Sequence, residues 1–432
     1  MTPSASSPTQ EKSLTLHSTW QKHLKIGLFG FGCVGQGLYD IFTKTDLSAE
    51  IVKICVKNPD KKRSLPASYF TFEGQELLEN TDINLIVELI DDAEAAYQIV
   101  KRAMLAGKDV VTANKKMLAL HLPELIALQE QTGTALLYEA AACGSIPIIR
   151  NLAEYYDNEL LYSVSGIFNG SSNYILTKVI DEKLSYEVAL KEAQDLGFAE
   201  TDPTLDVAGF DALYKLCLIA MQAYGVAIEP ASVFRYGITA LGAEDMQFAK
   251  EKGLKIKLIN YVGKVSEDEI CIFVMPQFVD EKHYLYDVNY EYNGVIVEAA
   301  FSDKQLFVGK GAGGHPTGSA VLSDISACRY NYRYEYRKSR REKALQVTQE
   351  VFLEVYVRYV HKSDLEVFDF IEIRERYEGR SYGYVIGTVC LEDLIAKRER
   401  IERKPIFLAA LGKKPEKAVL LPKKTQQTVF MV

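Results

Sequence analysis

The sequence predicts an α/β protein: a doubly wound parallel sheet, then an α+β unit on a second sheet, then a small C-terminal α+β unit. Three observations carry this. A glycine-rich turn links an apolar strand to a helix in "LKIGLFGFGCVGQGLYDIF". Strand-like and helix-like runs then alternate to about residue 150. From residue 151 the pattern changes to a polar loop, an apolar helix and several longer strand-like runs.

Composition narrows the function classes. The 432 residues suffice for two or three domains, and 50 Lys and Arg against 58 Asp and Glu give a net charge of −8. Such a chain has no global pull toward nucleic acid or an anionic membrane, so a small-molecule substrate is the expectation. Seven cysteines without a CxxC pair argue against a disulfide framework and a zinc site and fit a reducing cytoplasm. Residues 1–22 are polar, lack an apolar signal core and read as a tail, and no run is long enough to span a membrane.

The first strand, Leu24 to Phe29, meets Gly30, Gly32 and Gly35 in GxGxxG spacing, with Phe31, Cys33 and Val34 between them. Glycines there permit a tight turn, a close backbone approach to a pyrophosphate and close packing of helix on strand. "EIVKICVK", "INLIVELI", "DVVTANK" and "TALLYEA" read as further strands, "EAAYQIVKRAMLAG" and "LPELIALQEQTG" as helices. Residues 23–150 therefore read as a dinucleotide-binding domain on a doubly wound sheet. The second strand ends on Lys57 and Asn58, where an NAD binder usually carries an acid, with Lys61, Lys62 and Arg63 beyond. That favours NADP, with NAD as the alternative. Lys115 lies past the carboxyl end of a strand, at the edge where open α/β sheets bind ligands, but its neighbour Lys116 competes for the same reading.

The second unit, residues 151–325, contains "GFAETDPTLDVAGFDALYKL" followed by the apolar "CLIAMQAY". Charges at the mouth of a buried helix need partners or a task. Asp211 and Lys215 are four apart and share a helix face, which by itself describes an ordinary ion pair. Asp202, before Pro203, reads as turn or cap chemistry. In the C-terminal unit, 345–432, "EVFLEVYVRYVHK", "IEIRERYE", "SYGYVIGTV", "LEDLIAKRERI" and "PIFLAAL" alternate as a small α+β domain. The preceding "CRYNYRYEYRKSRREKAL" has the basic and aromatic content of an RNA-stacking segment, but interleaved acids and the acidic whole oppose that reading.

Six motifs in order, "GFGCVGQG", "VVTANKKML", "YEAAACGSIPII", "GIFNGSSNYILTK", "GFAETDPTLDVAGFDALYKL" and "GKGAGGHPTGSAVLSD", resemble homoserine dehydrogenase over roughly residues 24–325. The resemblance implies reversible NAD(P)H-dependent reduction of L-aspartate 4-semialdehyde to L-homoserine, a Rossmann-like first domain completed by a helix around 316–330, a homodimer built through a substrate domain on a mixed sheet, and a monovalent cation such as sodium. By motif it assigns Lys215 to proton transfer, selects Lys115 over Lys116 beside substrate and nicotinamide, and puts Glu200, Asp206 and Asp211 in the substrate pocket. It adds Ala113, Gly197 and Gly311 to the cofactor contacts and gives the cation Glu139, Ala142, Gly144 and Ile146. The C-terminal unit sits where many relatives carry an ACT regulatory domain; here it reads as a degenerate ACT-like or a structural domain.

Departures from the family pattern set a rival reading, a non-catalytic nucleotide-binding regulatory protein on the same fold. Asp91 and Asp92 replace an expected Gly-Gly pair near the cofactor edge, Cys143 and Ser145 stand where glycines are common, and Lys310 replaces a proline. Retention of both lysines and the three pocket acids favours the enzyme.

Overall fold

A computed structural model describes residues 22–157, 160–199 and 201–417. The first unit alternates β1 (Leu24–Phe29), α1 (Cys33–Phe42), β2 (Ala49–Cys55), β3 (Phe70–Thr71), α2 (Gly74–Glu79), β4 (Leu85–Glu88), α3 (Ala93–Leu105), β5 (Asp109–Thr112), α4 (Lys115–Thr132) and β6 (Leu136–Leu137). These six strands form a parallel sheet in the order β3-β2-β1-β4-β5-β6. The order reverses between β1 and β4, which places a ligand crevice at their carboxyl ends. Glycine is required at position 30: φ is +93°, and a Cβ would lie 2.6 Å from the Leu89 carbonyl oxygen. At Gly32 a Cβ would meet nothing within 4 Å, so the middle glycine of the turn faces open space.

The strand expected over "DVVTANK" stops at Thr112, and α4 begins at Lys115, well before the expected helix start. The cause is Asn114, whose side chain caps the helix by accepting from Met117 N at 3.0 Å. Pro123 lies inside the helix as a result. "TALLYEA" supplies only the two-residue β6 before the backbone tightens into a turn at Glu139–Ala141.

After α5 (Ile148–Ala153) come β7 (Leu161–Ile167), α6 (Gly170–Asp181), α7 (Tyr186–Asp195), α8 (Thr204–Val207), α9 (Phe210–Tyr224), β8 (Phe234–Arg235), α10 (Ala243–Glu251), β9 (Lys255–Lys264), β10 (Glu269–Val279), β11 (Tyr292–Ala299) and β12 (Asp303–Lys310). Gly209, at φ +85°, separates α8 from α9. Helix α11 (Gly314–Cys328) then returns to the first unit and packs on α1: a Cβ at Gly37 would lie 2.2 Å from the Gly314 backbone.

The C-terminal segment contributes β13 (Gln346–Val347), β14 (Val351–Tyr359), β15 (Glu372–Glu378), β16 (Gly383–Cys390), α12 (Leu391–Glu402), β17 (Phe407–Ala410) and β18 (Glu416–Lys417). Its main strands run in the order β17-β14-β16-β15 and continue the sheet of the second unit, giving one 12-stranded sheet joined where β17 meets β10 at Gln277 and Ala410. Apolar side chains from both segments share one cluster, with Phe234, Phe273 and Met275 beside Val355, Leu394 and Leu408. Arg358 of β14 also donates from Nε to the fully buried Asp245 of α10 at 2.9 Å, and Tyr236 donates to the Ile406 carbonyl at 2.7 Å.

Candidate functional site

The site grows from the mouth of α9. Asp211 is in its first turn and Lys215 one turn on, so both point the same way, and both are buried. Lys215 Nζ donates to Asp211 Oδ2 at 2.7 Å and to the Phe168 carbonyl at 2.7 Å. An ammonium has three N–H bonds: two hold Lys215 in place, and among the described residues none takes the third, which can meet a ligand. Lys115, arriving from the first unit as the opening residue of α4, lies 2.9 Å from Asp211 Oδ1. The two lysines thus meet on one carboxylate. Lys116 is exposed.

Asn169, at the end of β7, donates from one amide nitrogen to Asp206 Oδ1 at 2.7 Å and to Asp211 Oδ2 at 2.9 Å. Its own oxygen caps α6 by accepting from Ser172 N at 2.7 Å. The acids therefore differ. Burial alone would raise the pKa of Asp211, but Lys115, Lys215 and Asn169 outweigh it and hold that carboxyl well below the usual range. Asp206 is pushed up, first by burial and then by the Asp211 charge, with Asn169 and the lysines opposing.

Behind Lys115 a buried network fixes the carboxyl ends of β4 and β5. Glu88 accepts from Ile90 N at 2.7 Å and from the Thr112 hydroxyl at 2.5 Å, and Asn114 donates to the Ile90 carbonyl at 3.1 Å. Burial pushes the Glu88 carboxyl up to about 7, against the pull of those hydrogen bonds. Since Leu89 lies directly under Gly30, the same segment supports the glycine turn and the lysine site.

The other expected site residues fall into several groups. Phe31 is buried, packing edge-on to Tyr39 and Phe70, whereas Cys33 is exposed and Val34 and Ala113 are half-buried. Lys57 is exposed beyond β2, and Arg63 folds back over the Phe70 ring at 5.2 Å. Gly311 is tightly packed, its missing side chain giving way to the Asn293 amide. Gly197 is exposed after α7 at φ +74° with no near neighbour for a Cβ, so nothing crowds it. Glu200 lies outside the described residues.

Of the departures, Asp92 accepts from Ala95 N at 3.0 Å and caps α3, and Lys310 lies 3.4 Å from Glu291. Cys143 takes φ +56°, a conformation glycine holds more easily. Asp202 accepts from the Thr204 amide and hydroxyl, the turn chemistry expected of it.

Glu139 is buried, accepting from Ile149 N at 2.9 Å and Arg150 N at 2.8 Å. Burial and then the neighbouring Asp324 push its carboxyl up to about 8. Ala142, Gly144 and Ile146 follow in the same tight segment. Among the described residues no group of three or more His, Cys, Asp or Glu side chains could hold a metal. No described helix is long and apolar enough to cross a membrane.

Asn169, Asn293, Glu88 and Phe168 were not anticipated as site residues. Asn169 and Asn114 had a local signal, each standing immediately before a helix as a capping residue does. Glu88 had a weaker one, a carboxylate in an otherwise apolar strand.

Two family models match the chain: homoserine dehydrogenase over residues 147–326, and the NAD-binding domain of homoserine dehydrogenase over residues 30–139. The chain is 33% identical to the homoserine dehydrogenase of Bacillus subtilis over 378 residues, covering 84% of this chain and 87% of the relative. It is 37% identical to that of Lactococcus lactis over 316 residues, covering 70% and 73%. The crystal structure of a homoserine dehydrogenase from Thiobacillus denitrificans superposes with a TM-score of 0.79 at 28% identity, over 90% of this chain and 98% of that one. A hyperthermophilic archaeal homoserine dehydrogenase in complex with NADPH superposes at 0.61 with 25% identity, over 72% and 99%.

Proposed function

Because the chain belongs to the homoserine dehydrogenase family, we propose that it interconverts L-aspartate 4-semialdehyde and L-homoserine where Lys115 and Lys215 converge on Asp211. A nicotinamide dinucleotide supplies the hydride when bound, and the glycine turn fits it: Gly32 leaves open space where a pyrophosphate must approach the backbone. The chain's own groups do the rest.

As the aldehyde carbon gains hydride, its oxygen develops negative charge. The third N–H of Lys215 stabilises that oxygen and gives it a proton, in surroundings where burial strengthens the interaction. Lys115, more exposed, adds a second positive charge beside the substrate. Asp211 anchors both lysines, which leaves Asp206 and Glu200 to receive the substrate's ammonium. The single observation carrying this reading is the shared carboxylate, at 2.9 Å from one lysine and 2.7 Å from the other.

Finer readings accompany it. NADP is preferred over NAD, supported by the exposed Lys57 and its basic neighbours where an acid would hold a ribose hydroxyl. A monovalent cation such as sodium is held by Glu139 and the backbone carbonyls of Ala142, Gly144 and Ile146; an all-oxygen set beside a buried carboxylate suits a hard ion and offsets the Glu139 and Asp324 charges. The enzyme works as a cytoplasmic homodimer, and its C-terminal strands, in the order fourth-first-third-second, serve as a degenerate ACT-like or a structural domain.

The test is turnover of homoserine with NADP, followed by the near-ultraviolet absorbance of the reduced nicotinamide. Activity with homoserine but not with other hydroxy-amino acids supports the reading. A folded protein that binds NADP and oxidises none of them contradicts it.

A further inference from the structure

Asn293 of β11 is fully buried, and its position is costly. Its Nδ2 donates to the Phe168 carbonyl at 3.1 Å, the same oxygen that Lys215 grips at 2.7 Å. Its Oδ1 is buried with no hydrogen-bond partner among the described residues. The amide also dictates glycine at position 311, where a Cβ would lie 2.2 Å from the Asn293 side chain, and the Cys143 thiol is within hydrogen-bond reach of the Asn293 side chain. An orphaned buried acceptor and a forced glycine are poor returns for a hydrogen bond to a carbonyl that already has a donor, and native cores rarely keep such groups without a use. Stability alone does not account for the residue.

We propose that Asn293 is a positioning residue for proton transfer, acting through Lys215. A carbonyl oxygen has two lone pairs, and with Asn293 on one of them the Phe168 oxygen can present only the other to Lys215. Asp211 fixes a second N–H of the ammonium, so the direction of the third, the one meant for the substrate oxygen, follows from these two anchors. Because Gly311 rests on the same amide, the glycine loop expected to contact the cofactor and the proton donor are registered against one side chain.

The inference rests on Lys215 being the proton donor, and the experiment separates the two. Asn293→Ala, which removes the amide, and Asn293→Leu, which keeps its branched outline with two bulkier methyl groups and no donor, are compared with Lys215→Ala and with the double variant Asn293→Leu/Lys215→Ala. A mis-aimed proton donor lowers kcat about tenfold or more while the KM for homoserine stays within about threefold, and the solvent deuterium isotope effect on kcat rises because proton transfer has become slower. Since Asn293 acts through Lys215, the double variant is no slower than Lys215→Ala alone.

Near-normal kcat in folded Asn293→Leu, with Lys215→Ala inactive, overturns the inference and leaves the Lys215 reading standing. Near-normal kcat in Lys215→Ala overturns both. Failure of both Asn293 variants to fold assigns the residue to the scaffold and likewise overturns the inference.

Discussion

Asp211→Asn removes one charge and almost no volume, so its effect isolates the electrostatic role of the shared carboxylate. Breaking a buried ion pair from one side costs about 3–5 kcal/mol. Here Lys115 keeps 40% of its side chain exposed, so solvent screens its share, and an Asn oxygen can still accept from Lys215. The expected loss is therefore at the low end, about 3 kcal/mol. At roughly 2–4 °C per kcal/mol for a unit of this size, the melting temperature should fall by about 6–12 °C.

The sign with pH follows from the depressed carboxyl of Asp211. A carboxylate held below its ordinary range stabilises the fold at all pH values above that range and loses the contribution as pH falls toward the folded value. The gap in melting temperature between wild type and Asp211→Asn should thus be constant near neutrality and narrow below about pH 4. Turnover should drop with it, because one of the two anchors of Lys215 is weakened. The reasoning is refuted if melting is unchanged at neutral pH while only the KM for homoserine rises, since Asp211 would then be a substrate ligand and not the anchor of two lysines.

Further outcomes are expected. Lys57→Ala should raise the KM for NADP much more than that for NAD, because only the former loses a charge-assisted contact; steady-state kinetics with each cofactor checks this. Burial holds the Glu139 carboxyl up at about 8, so without a cation the fold should lose stability as pH rises from about 5 toward 8, sodium should offset the loss where choline does not, and Glu139→Gln should abolish the difference in thermal melts. Arg358→Ala leaves Asp245 buried and unpaired, for a loss of about 3–5 kcal/mol in denaturant titration, and truncation before β14 should yield insoluble protein because it bares Phe234, Phe273 and Met275.

Much of the fold is legible along the chain. The parallel sheet follows from apolar runs alternating with helices, and the glycine turn from three residues in fixed spacing after a strand. Asp211 and Lys215 share a face because a helix puts residues four apart together. What escapes such reading is non-local. Lys115 reaches Asp211 from another domain, and no local pattern announces it. Asn293 lies on a strand whose neighbours look ordinary, and its importance appears only when the Phe168 carbonyl and Gly311 are brought against it. The joining of the C-terminal strands to β10 is likewise a matter of pairing between distant segments, which apolar alternation cannot specify.

The central claim is that Lys215, held by Asp211 and Phe168, delivers the proton to the substrate oxygen. The most direct measurement is kcat for homoserine oxidation by folded Lys215→Ala, with NADP binding followed separately by fluorescence. A fall of about a hundredfold or more, with the Kd for NADP within about threefold of wild type, is the predicted result. Turnover near that of wild type would contradict the account.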